Sequence, residues 1–162
     1  MNATAFETEG AARVDVRAEA VINDAYLRVI HTGRHEQIGV MTLPPDDETG
    51  EEVSEDLEQL IVFVDGVGEA RVGDYALGVR PGDLVFVEPG TRHNIVNRAT
   101  VPLRFITVFA PPVYPPGTVA WTREAYAAAK ADPEEVPTSI NRGPLRAGPR
   151  LMRPDGMASA RS

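Results

Sequence analysis

The chain is 162 residues long, 43% of them hydrophobic, and carries 24 acidic against 16 basic side chains, a formal net charge of −8. That is enough for one sizeable core and too little for two full domains, and the acidic balance with 6% aromatic residues argues against a nucleic-acid groove of basic and stacking side chains. The chain contains no cysteine, so disulfides, thiolate metal sites and cysteine nucleophiles are excluded.

Residues 1–18 mix small and charged side chains without period and predict a loose lead-in. The start, Met1-Asn2-Ala3-Thr4-Ala5-Phe6, has no basic segment followed by an apolar run. No apolar stretch reaches the roughly 18 residues of a membrane span, so the expectation is a soluble, cytoplasmic protein that binds neither membrane nor nucleic acid. Two apolar runs, Ala25–Ile30 and Gln37–Leu43, then read as strands parted by Thr32-Gly33-Arg34. Pro44–Gly50 holds two prolines and no apolar anchor, and reads as a loop. Further strands are expected at 57–64, 69–72, 75–79, 84–87, 93–97 and 103–109, with turn residues such as Asp65-Gly66 and Glu88-Pro89-Gly90 between them. Short strands at this spacing predict an all-β sandwich or barrel.

The prolines of Ala110–Thr118 cannot donate ladder hydrogen bonds and end the sheet region. Thr122–Lys130 predicts one short helix capped by Thr122. From 132 onward the chain is rich in Pro, Gly and Arg, and from Arg142 it carries five arginines against one acid, Asp155. A flexible, solvated tail is expected there. The expected organisation is a lead-in over 1–18, one domain over 19–131 and a tail over 132–162.

Two segments carry the chemistry. Downstream, Pro81-Gly82-Asp83 opens a strand that ends at Glu88-Pro89-Gly90, followed by His93 and Asn97. Upstream, Gly50-Glu51-Glu52-Val53-Ser54 leads to Gln59 and a strand ending at Gly66. Together they resemble the two motifs of the cupin superfamily. Over residues 18–129 the chain resembles the small single-domain subgroup described as mannose-6-phosphate isomerase-like, or sugar-phosphate isomerase-like; Thr32-Gly33-Arg34-His35, Gln37, Met41, Ala110-Pro111-Pro112 and Pro116-Gly117-Thr118 also carry that likeness.

The resemblance implies an all-β fold, the cupin double-stranded β-helix or jelly-roll barrel, with a short C-terminal helix and flexible termini. It also implies a divalent metal (Mn, Fe, Ni or Zn) held between the two halves. Carried over position by position, Glu52, Gln59 and His93 would be the metal ligands. Ser54 stands where the subgroup has histidine, and a serine hydroxyl is a poor ligand for such ions, which weakens the site. Asn97 reads as structural.

Strand alternation puts Gln59, Ile61 and Phe63 on one face, and Glu52 and Ser54 on one side of the preceding segment. Ser54, Gln37 and Phe63 are therefore further pocket candidates, while Tyr26, Arg104 and Tyr114 would add polar groups at the barrel mouth. Glu52 or Glu58 would serve as the general base of an enediol isomerisation. His31 and His35 flank a turn and read as surface residues. No phosphate-binding glycine loop or Gly-x-Ser-x-Gly elbow occurs. Two functional readings follow: a metal-dependent enzyme of isomerase or oxygenase type acting on a small polar molecule, or a non-catalytic small-ligand binder with a degenerate metal site. Pairing through sheet edges into a homodimer is expected in either case.

Overall fold

A computed structural model describes residues 6–8 and 10–129; the tail expected over 132–162 lies outside the described residues. The strands are β1 (Phe6–Thr8), β2 (Ala11–Arg13), β3 (Leu27–Thr32), β4 (Gln37–Leu43), β5 (Glu58–Asp65), β6 (Gly68–Val72), β7 (Tyr75–Val79), β8 (Leu84–Val87), β9 (His93–Val96), β10 (Leu103–Ala110) and β11 (Val119–Ala120). Two short helices, α1 (Val16–Ile22) and α2 (Arg123–Ala128), complete the described elements. Strands β11-β3-β4-β10-β5-β8 form one antiparallel sheet and β7-β6-β9 a second, with β1 and β2 paired as a separate hairpin. The core lies between the two sheets, which is the jelly-roll arrangement expected.

Period-two alternation along β10 explains why the larger sheet has an inner face. Leu103, Phe105, Thr107 and Phe109 are all buried, and their cross-strand partners share that face. Phe105 lies between Met41 and Phe63, Thr107 between Gly39 and Ile61, and Phe109 between Gln37 and Gln59. The same register carries Gln59 across to Val87 on β8. Phe63 and Phe105 stack with ring centroids 5.6 Å apart.

The outer face is apolar in part because α1 covers it. Ala20 packs on Val40 and Ile106, with Val16, Ile30, Ile38, Val62 and Val64 around them. The loose lead-in expected up to residue 18 is therefore regular over 11–13 and 16–22. Its signals are short ones: Val16 and Ala20 lie one turn apart on a helix, and the Asp15 side chain caps it by accepting from the Ala18 N–H at 3.0 Å. At the other end, Thr122 caps α2 as expected, accepting from Ala125 N–H at 3.1 Å.

Three local devices fix the barrel's ends. Gly66 closes the β5–β6 turn at φ +80°, and a Cβ there would fall 2.4 Å from the Pro102 carbonyl oxygen, so no side chain fits. Asn97, fully buried, donates from Nδ2 to the carbonyls of Leu43 (3.1 Å), Pro44 (3.0 Å) and Val101 (2.9 Å) and accepts from Ala99 N–H at 3.0 Å. Gln37, also fully buried, donates from Nε2 to Thr32 Oγ1 and the Tyr114 carbonyl, both at 2.8 Å, while its Oε1 accepts from the N–H groups of Val113 and Tyr114. Through that bracket the proline-rich 110–118 connection is held so that Tyr114 enters the core. No helix among the described residues is long and apolar enough to cross a membrane.

Candidate functional site

The two motif segments meet between the sheets. Glu52 and His93 form an isolated antiparallel bridge, each N–H donating to the other's carbonyl at 2.8 Å. Directly opposed residues share a face, and His93 turns inward, where its Nε2 lies 3.0 Å from Gln59 Oε1. Gln59 Nε2 in turn lies 2.9 Å from Thr107 Oγ1, and His93 Nδ1 lies 3.1 Å from the Thr91 carbonyl. All three side chains are nearly closed to solvent, at 7% exposure for His93, 4% for Gln59 and 0% for Thr107.

Proton counting restricts this chain of groups. A carbonyl only accepts, so His93 Nδ1 carries a proton and donates to Thr91. A neutral imidazole then has a lone pair on Nε2, and the Gln59 amide satisfies it by presenting its NH2 to His93 and its oxygen to the Thr107 hydroxyl. The imidazolium form instead donates from Nε2 to Gln59 Oε1. Either pattern satisfies the three side chains from within.

Beside this row stands a tyrosine cluster. Tyr114 meets Phe109 edge-on at 5.3 Å and Tyr126 at 5.9 Å, and Tyr126 meets Tyr26 at 5.5 Å. Tyr126 is carried in by α2, and its hydroxyl is hydrogen-bonded to the Glu52 carboxylate. A carboxylate is a stronger acceptor than a phenol oxygen, so the one Tyr126 proton goes there. The Tyr126 oxygen still accepts, and the Tyr114 hydroxyl, enclosed beside it, interacts with it, with no other partner for that hydroxyl among the described residues. Burial is the main cause that pushes the phenol pKa of all three tyrosines upward, with the negative charge of Glu52 adding to it in each case. The Tyr26 hydroxyl donates to the Glu48 carbonyl, and Arg123 of α2 approaches Glu48 at 3.5 Å.

The sequence candidates thus separate. Gln59 and His93 meet through their side chains, and Glu52 joins them through its backbone bridge while its carboxylate serves the tyrosines. Gln37 faces inward but is consumed by the 113–114 backbone, and Phe63 is a packed core ring rather than an open wall. Ser54 is exposed, contributing its carbonyl to Gly90 N–H at 2.7 Å. Glu58 occupies the opposite, exposed face of β5 from Gln59, away from the proton-transfer position expected for it. Arg104 lies on the outer face of β10 near Asp65 and Asp24. His35 is exposed and His31 half-buried on the outer side.

Two participants were not singled out from sequence. Tyr126 is the single large residue in the run Ala125-Tyr126-Ala127-Ala128-Ala129, so a helix docking on the barrel had to bury it. Thr107 is the one polar residue in the alternating series 103, 105, 107, 109, which marks a polar spot on an inner face.

A divalent transition metal fits this donor set poorly. Among the described residues no three His, Asp or Glu side chains gather. The available donors are one imidazole, one neutral amide and one carboxylate, and each already has a partner: His93 with Gln59, Gln59 with Thr107, Glu52 with Tyr126. The position expected to supply a further imidazole is Ser54, exposed and a weak donor.

A family model described as the cupin domain matches residues 39–109, from β4 to β10. The chain is 32% identical over 110 residues to protein L612 of Acanthamoeba polyphaga mimivirus, covering 65% of this chain and 69% of that one. It is 27% identical over 123 residues to protein YrkC of Bacillus subtilis (strain 168), covering 72% of this chain and 66%, just under two thirds, of that one. Both relatives are themselves described as uncharacterised. The crystal structure of BH2720 from Bacillus halodurans superposes with a TM-score of 0.70 at 28% identity, covering 72% of this chain and 93% of that one.

Proposed function

The chain is a cupin-domain protein, and we propose that it binds a small, uncharged, hydroxyl-rich molecule through hydrogen bonds inside the barrel, without a resident metal. The observation that supports this reading is the enclosed Tyr114 hydroxyl, whose one neighbour, Tyr126, is committed to Glu52 and leaves the Tyr114 oxygen able to accept a further hydrogen bond. A ligand hydroxyl can donate to or accept from Tyr114 and reach the Glu52 carboxylate beside it. Uncharged ligands are favoured over phosphates because the charge acting on Tyr114 is that of Glu52, and Arg123, on the Tyr26 side of the cluster, is drawn to Glu48.

The sugar-phosphate isomerase reading, implied by resemblance, retains Glu52 as a base but loses Glu58. The test is a thermal-shift and calorimetric panel of neutral monosaccharides and polyols beside mannose 6-phosphate and fructose 6-phosphate. Neutral members should raise the melting temperature, and Tyr114→Phe should weaken their binding roughly tenfold, the value of about one hydrogen bond to a buried group. Equal binding by Tyr114→Phe would remove the proposed contact. Interconversion of the two sugar phosphates would replace the binding reading with the enzymatic one.

A further inference from the structure

A cavity opens on the outside of the larger sheet, away from the barrel interior. It has a volume of about 510 Å³ and lies between the N-terminal hairpin, the start of α1 and the β3–β4 turn. That volume is within the range of about 300–1,000 Å³ of small-molecule clefts. Gly10, Ala11 and Ala12 make a wall of small residues, and Val14, Val16, Ile30 and Ile38 supply branched apolar surface. The end of β3 adds His31, and the β3–β4 turn adds Arg34 and Glu36.

The strand irregularity between Val29 and His31 creates this arrangement. It sets His31 opposite Ile38 on the outer face, while Thr32 returns to the inner face opposite Gln37. In the turn beyond, Arg34 and Glu36 are exposed, and among the described residues neither forms an ion pair with the other or with a third group. The Glu36 carboxylate lies over Gly33, in space that a Cβ there would occupy 2.1 Å from its Oε1.

A guanidinium and a carboxylate, without ion-pair partners among the described residues and both lining a cleft with an apolar floor, match a ligand with the opposite pair of charges and an apolar body. We infer that the cleft binds the zwitterion of a free apolar α-amino acid, its carboxylate on Arg34, its ammonium on Glu36 and its side chain among Val14, Val16, Ile30 and Ile38. Carboxylate recognition by a guanidinium fork is geometrically specific, and the aliphatic floor rewards a branched or aromatic side chain over a small one.

Isothermal titration of the full chain with L-leucine, glycine, N-acetyl-leucine and leucinamide tests this. Leucine should bind measurably, while glycine, lacking the side chain, and the two derivatives, each lacking one charge, should bind at least roughly tenfold more weakly, about 1.4 kcal/mol per lost contact. Arg34→Gln and Glu36→Gln, both at exposed positions and expected to melt as the parent does, should each weaken leucine by a similar factor. No leucine binding, equal binding of N-acetyl-leucine or leucinamide, or full affinity in either variant would overturn the inference.

Discussion

Asn97→Leu is expected to destabilise the protein by about 3–4 kcal/mol, a large share of the 5–15 kcal/mol typical of a domain. Leucine shares the branched outline of asparagine but is larger, so the effect is not that of a cavity, and crowding at this fully buried position adds to it. It comes from the polar groups that Asn97 satisfies: the carbonyls of Leu43, Pro44 and Val101 and the N–H of Ala99. Leu43 is fully buried, and its carbonyl bears the full cost of about 1–3 kcal/mol. Pro44 and Val101 are exposed, so water restores part of the loss there. Because those bonds tie the end of β4 to the β9–β10 turn, the loss should appear as a lower urea midpoint with an unchanged slope. A change below about 1 kcal/mol would mean that Asn97 does not clamp the barrel as described.

Alkaline destabilisation is expected to be steep. Tyr26, Tyr114 and Tyr126, three of the four tyrosines, are at most 2% exposed, and burial raises the pKa of each. In the unfolded chain these phenols ionise near pH 10, whereas the folded state keeps them protonated. Above about pH 10 the folded state therefore holds more protons than the unfolded state, and stability falls as pH rises. Below that value the contribution is fully present. Each tyrosine adds about 1.4 kcal/mol per pH unit to the slope, so the three together give about 4 kcal/mol per unit between the unfolded and folded pKa values. Urea titrations at stepped alkaline pH would measure it, and Tyr126→Phe should flatten the slope by about a third. Gradual appearance of phenolate absorbance from these tyrosines while the chain stays folded would contradict the burial described for them.

Much of the barrel was legible because its strands advertise themselves by alternation and its turns by Gly, Pro, Asp and Asn. The series Leu103, Phe105, Thr107, Phe109 and the stretch from Pro81 to Asn97 fall on the strands and turns expected of them. The hairpin and α1 were not legible. A seven-residue helix with two inward residues leaves too short a pattern to rise above its charged neighbours, and it exists because the outer faces of β4 and β10 offer Val40 and Ile106 to cover. Within the site, the motif resemblance set Gln59 and His93 side by side, and their side chains lie 3.0 Å apart. Neither motif nor spacing could show that α2 returns to place Tyr126 on Glu52, since contacts between residues 52 and 126 depend on tertiary closure rather than local pattern. Nor could the pattern show that Ser54 faces outward, because residues 53–57 leave the extended geometry on which the alternation argument relied, whereas Glu58, next to Gln59 on β5, falls on the opposite face by that same alternation.

Elemental analysis by plasma mass spectrometry tests the account most directly: the purified protein is incubated with Mn, Fe, Ni or Zn and desalted, beside a His93→Ala control. Since the donors of Glu52, Gln59 and His93 already satisfy Tyr126, Thr107 and one another, the metal found should be far below one ion per chain and the same in both proteins. One ion per chain that vanishes in the control would contradict the metal-free site and restore the three-ligand centre implied by the motif resemblance.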